Sequence, residues 1–95
     1  MKVKNINGTS DNSCKCDSWL AHWEKFSGQT ANLCVEKACT EKATVGAHVQ
    51  KDSSTDRAWY IIPLCKTHNK AADEMELYGS PELVSANVSQ TCGKK

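Results

Sequence analysis

Four side chains in this 95-residue sequence have the types and spacing to hold a metal ion. Cys34 and Cys39 enclose four residues, Cys65 and His68 enclose two, and 25 residues (40–64) separate the pairs. Zinc takes thiolate and imidazole ligands in a tetrahedron, and a structural site usually draws them from two close pairs, each with about two to four intervening residues. A single stretch of chain cannot easily aim four ligands at one point, so the two pairs must converge in space. The chemistry expected at Cys34, Cys39, Cys65 and His68 is therefore a closed, structural zinc site. Three cysteines remain. Cys14, Cys16 and Cys92, joined by His22, have the ligand types for a second site. The single residue between Cys14 and Cys16 is unusual for a zinc knuckle, and three free thiols or a disulfide from Cys92 to Cys14 or Cys16 stay open alongside it.

Composition explains why such a chain needs a staple. Val, Leu, Ile and Phe together number 15 of 95 residues, and mean hydropathy is −0.57. Small domains with so few core residues depend on disulfides or metals. Disulfides persist in oxidising compartments. The opening residues 1–13 lack the apolar segment of a secretory signal, and no stretch approaches the length of a membrane span. The expected location is the cytoplasm, where thiols stay reduced, with no membrane contact. The formal net charge is +1, from 12 basic and 11 acidic residues, with no basic stripe of the kind that marks strong non-specific nucleic-acid binders.

The elements that must position the ligands read as one domain over 1–95. Residues 1–13 are polar and read as a flexible arm with a short strand at 2–6. Residues 18–27 read as a helix: Trp19, Leu20, Trp23 and Phe26 recur at helical spacing, Asp17 or Ser18 can cap it, and Gly28 suits its end. This apolar stripe is expected in the core. A loop over 29–42 carries the first pair. Strands are expected at 43–49 and 58–62, joined by the polar turn 50–57 and ended by Pro63. The spacing of Ala71, Ala72, Met75 and Tyr78 predicts a helix over 65–78, which would present Cys65 and His68 on one face. Residues 83–88 read as a last strand. The hairpin carries the chain out and back, returning the second pair to the first.

The order of cysteine pair, Gly46-Ala47-His48-Val49, second strand and Pro63-Leu64-Cys65-Lys66-Thr67-His68-Asn69 resembles the zinc-containing HNH endonucleases over residues 34–78. The resemblance implies an α+β class: a small zinc-stabilised ββα, treble-clef-like finger, here with an added N-terminal helix and a C-terminal strand. It also implies that His48 stands where the family has its general base, and Asn69 where a residue helps hold a catalytic divalent ion such as Mg²⁺ or Mn²⁺. Asp73, four residues on, could join that ion. A neutral imidazole can take a proton from water while a hard cation polarises the phosphate. Two positions depart from the pattern: Tyr60 stands where the family has its middle asparagine, and Ala47 where an acidic metal ligand is frequent.

Three functions follow as expectations. The first is a non-catalytic, HNH-like zinc-finger module that recognises DNA or another protein, with Trp19, Trp23, Trp59 and Tyr60 as contact surface. The second is a metal-dependent endonuclease using His48 and Asn69. The third is a cysteine-based redox or metal-handling protein using Cys14, Cys16 and Cys92. The sequence does not set the oligomeric state.

Overall fold

A computed structural model describes residues 2–6, 18–37, 39–51, 58–70, 74–78 and 82–87. The described residues form, in chain order, β1 (Lys2–Asn5), α1 (Trp19–Ser27), β2 (Val45–Lys51), β3 (Tyr60–Leu64), α2 (Lys66–Asn69), β4 (Met75–Glu76) and β5 (Val84–Ser85). The strands form one antiparallel sheet in the order β4-β1-β2-β3-β5. No helix among the described residues is long and apolar enough to cross a membrane.

The sheet sorts its side chains by strand periodicity, since successive residues face opposite sides. Ala47 and Val49 of β2, with Ile62 and Leu64 of β3, join Val3, Met75, Leu77, Cys34 and Cys65 in the larger core cluster. The intervening Ile61 faces the other way, with Trp23 and Val84, against partly buried Trp19. One face of the sheet therefore carries the cysteines and the other carries α1.

The helix α1 forms as the sequence directs. Ser18 caps it, its hydroxyl accepting from the Ala21 N–H at 3.0 Å. Gly28 ends it at φ 72°, in the left-handed region, with its N–H bonded to the Glu24 carbonyl at 3.1 Å. The buried residues of α1 are His22 and Trp23. Phe26, expected in the core, is 39% exposed and lies over the His22 ring. Near the helix end the sheet no longer backs the stripe.

The helix sits so close that Gly46 has no room for a side chain. A Cβ there would lie 2.3 Å from the Trp19 carbonyl carbon and 2.5 Å from the Leu20 nitrogen. Both are backbone atoms, so the helix itself would have to move. Gly46→Ala is expected to lower stability by about 1–3 kcal/mol or more. An unchanged urea midpoint would contradict this contact.

Two expectations need correction. The helix expected over 65–78 is confined to Lys66–Asn69, and Met75–Glu76 forms β4 against β1. Met75, read with Ala71, Ala72 and Tyr78 as a helical stripe, is instead buried in the larger core as a strand residue beside Leu77, and Leu77 bridges to Glu36. Sheet pairing with the N-terminal strand outweighs the local helical spacing. The short strand expected at 2–6 is present as Lys2–Asn5, an inner strand with Val3 fully buried, while 7–13 of the expected arm lie outside the described residues. Finally, Pro63 lies within β3, paired with Gly46. The Leu64 carbonyl accepts from the Thr44 N–H on the β2 side, so the backbone groups of Pro63 point away from β2. On that side the pairing with β5 ends at Ile61, and the strand loses no ladder bond to the proline.

Candidate metal centre

Two segments on one face of the sheet bring the ligand pairs together. The loop carrying Cys34 and Cys39 is closed by a Leu33–Lys42 bridge and by Cys34 N–H to the Glu41 carbonyl at 2.9 Å. It is wedged between two elements. Val35 N–H donates to the Pro63 carbonyl at 3.1 Å, and Tyr78 N–H donates to the Val35 carbonyl at 2.8 Å. This holds the loop above the end of β3, where Cys65 caps α2 and His68 sits one turn on. The hairpin of β2 and β3 does return the second pair to the first.

The ligand atoms of Cys34, Cys39, Cys65 and His68 all lie within 4.8 Å of one another. Zinc–sulfur bonds of about 2.3 Å and zinc–nitrogen bonds of about 2.0–2.1 Å, set tetrahedrally, place two sulfurs about 3.8 Å apart and sulfur from nitrogen about 3.6 Å apart. The Cys39 and Cys65 sulfurs are 3.9 Å apart. The His68 Nδ1 is 3.6 Å from the Cys34 sulfur and 3.2 Å from that of Cys65. These three distances are close to the edges of a zinc-sized tetrahedron. The three sulfurs and one imidazole nitrogen can hold a metal ion such as zinc.

The surroundings match that use. The other ring nitrogen of His68, Nε2, lies 3.0 Å from the Glu36 carboxylate. A carboxylate behind the imidazole fixes which nitrogen faces the metal and makes it a better ligand. Backbone N–H groups also reach the sulfurs, from Glu41 to Cys39 and from His68 to Cys65, each at 3.4 Å. Glu36 was missed in the sequence reading. Its only signal there is an acidic residue between two ligand cysteines, which sequence spacing alone does not distinguish from a solvated charge. Glu36→Ala is expected to weaken metal affinity about 10–100-fold while leaving the four ligands in place. Competition with a chromophoric chelator measures this, and an unchanged affinity would remove Glu36 from the site.

The thiols feel their surroundings unequally. Burial pushes the Cys34 thiol up to about 11, against the pull of the Cys65 and Glu36 backbone amides. Burial also raises Cys65, but the His68 N–H, the His68 ring and the two other sulfurs outweigh it and bring the thiol to about 7. Three thiolates this close repel one another, and a divalent cation is the group that relieves them.

The remaining candidate residues are not gathered at this centre. His48 is on the opposite face of the sheet, 6% exposed, with its ring 4.5 Å from that of Trp19. Its Nε2 has no hydrogen-bond partner among the described residues. Asn69 is exposed at the end of α2, and no described contact joins it to His48. Asp73 lies outside the described residues, as do Cys14, Cys16 and Cys92. His22, grouped with those cysteines, is fully buried, and its Nε2 bonds the Ser85 carbonyl at 2.9 Å.

The buried state of His48 has a pH consequence. Burial, and secondarily the neighbouring His22, lower its pKa from 6.5. In the unfolded chain the ring takes up a proton near that ordinary value, before the folded protein does. Its contribution is therefore fully present above pH 6.5 and is lost as the pH falls through the lower folded value. Urea midpoints of wild type and His48→Leu, compared from neutral to mildly acid pH at fixed zinc, should converge or cross as the pH falls. Parallel curves would show that His48 does not carry the effect.

Comparison with known proteins leaves the site to stand on its own geometry. No family model matches this chain, no curated protein matches it, and no solved structure matches it.

Proposed function

We propose that this chain is a zinc-stabilised recognition module, with an HNH-like, treble-clef finger of β2, β3 and α2 built around the Cys34, Cys39, Cys65 and His68 site. The observation that carries the metal reading is the set of sulfur–sulfur and sulfur–nitrogen distances, which fit a tetrahedral zinc ion. All four positions are filled by protein, so the ion would be structural: a catalytic zinc keeps a position open for water.

Recognition is favoured over catalysis by the place of His48. A general base must reach the proton it removes, directly or through one water. The His48 ring is instead packed between Trp19 and Trp59, on the face away from the cysteines. A protein partner is favoured over DNA. The net charge is only +1, while Leu33 and Tyr78 beside the cysteine loop are 54% and 74% exposed. Native mass spectrometry of the purified chain should find one bound zinc. Incubation with plasmid and Mg²⁺ or Mn²⁺ should give no nicking above that of His48→Ala. Cleavage that disappears in a folded His48→Ala protein would restore the endonuclease reading.

A further inference from the structure

The three sulfurs of the centre are not equally sheltered. Cys34 and Cys65 are buried, whereas Cys39 is partly exposed. Cys39 also lines a cavity of about 320 Å³ beside the loop, walled by Leu33, Val35 and Tyr78. Cys34 lines the same cavity but is 3% exposed, so a small molecule admitted there meets Cys39 as the more accessible sulfur. The Cys39 and Cys65 sulfurs lie 3.9 Å apart. A disulfide needs about 2.05 Å, so the two atoms must close by roughly 2 Å, which rotation about the side-chain bonds of a loop cysteine can supply.

We propose that Cys39 and Cys65 are an oxidation-sensitive pair, through which a hydroperoxide converts the metal centre into a metal-free disulfide form. The inference rests on the zinc reading above. In the first step the Cys39 thiolate attacks a peroxide oxygen. The O–O bond breaks, Cys39 becomes a sulfenic acid, and the leaving oxygen is protonated to water. In the second step the Cys65 thiolate attacks the sulfenyl sulfur, the S–S bond forms, and hydroxide leaves and is protonated. Two thiolates, one hydrogen peroxide and two protons thus give one disulfide and two waters, the sulfurs losing two electrons to the peroxide oxygens. Cys34 and His68 alone cannot complete a tetrahedron, so the site would no longer retain zinc. A dithiol reductant, which gives up two electrons and is itself oxidised to a disulfide, returns Cys39 and Cys65 to thiols, and added zinc would refill the site.

The test uses the full chain as purified, with its zinc measured first. Hydrogen peroxide is added in steps, zinc release is read with a chromophoric chelator, and the disulfide is located by mass spectrometry of a non-reducing digest. The expected result is one zinc released per disulfide formed, with the Cys39 peptide joined to the Cys65 peptide. A starting protein without zinc would refute the metal reading itself. With zinc present, the pair is refuted if zinc leaves while both thiols stay reduced, or if the first disulfide joins other cysteines. Zinc and a free Cys39 thiol that persist through a many-fold excess of peroxide refute it equally.

Discussion

Cys65→Ser should abolish cooperative folding of this domain, and chelation of the wild-type protein should do the same. A structural zinc contributes about 10–16 kcal/mol of apparent binding free energy, most of it folding free energy when no site exists in the unfolded chain. A domain of this size has a total stability of only about 5–15 kcal/mol. The metal term is as large as the whole margin, so its loss outweighs what the sheet retains. Cys65 feels this loss most because it serves two ends at once. It supplies a ligand, and its sulfur caps α2 by accepting from the His68 N–H. Circular dichroism and urea titration, with and without a strong chelator, measure the effect. A chelated protein that still unfolds in one cooperative step, at an unchanged midpoint, would show that the sheet stands without the ion.

The second large effect is on the other face. Trp23→Ala should cost about 3–5 kcal/mol, the range for removing a buried tryptophan side chain. Trp23 is 3% exposed, packs with Ile61 and Val84, and donates its indole N–H to the Glu82 carbonyl at 2.8 Å. Truncation would empty the space between α1 and the sheet and remove the donor to that carbonyl. Phe26→Ala, on the same helix, should cost less, about 1 kcal/mol, because Phe26 is 39% exposed and lies outside both core clusters. Equal losses for the two variants would mean that α1 packs differently. The contrast also separates the two halves of the fold: Trp23→Ala should weaken folding while the metal affinity of the folded protein is preserved, since the sheet lies between them.

Taken together, the two faces give the domain a division of labour. One face gathers Cys34, Cys39, Cys65 and His68, which can hold a metal ion, with Glu36 behind His68. The opposite face holds α1 by aromatic packing, with Gly46 allowing the helix backbone to approach β2. The larger core runs beneath the four-residue cluster, so an ion held there would support the same layer as the apolar residues.

The sequence by itself determined the ligand set, the helix α1 with its Ser18 and Gly28 ends, and the hairpin of β2 and β3. These are legible because each rests on short-range chemistry: ligand type and spacing, capping groups, and β-branched runs. The tertiary structure decided the rest. It placed β1 and β4 side by side, turning the expected 65–78 helix into a short turn of helix and a strand, because pairing between residues more than 70 positions apart leaves no local signal. It also put His48 across the sheet from the cysteines, since a strand sends neighbouring side chains to opposite faces and only packing decides which face receives the metal.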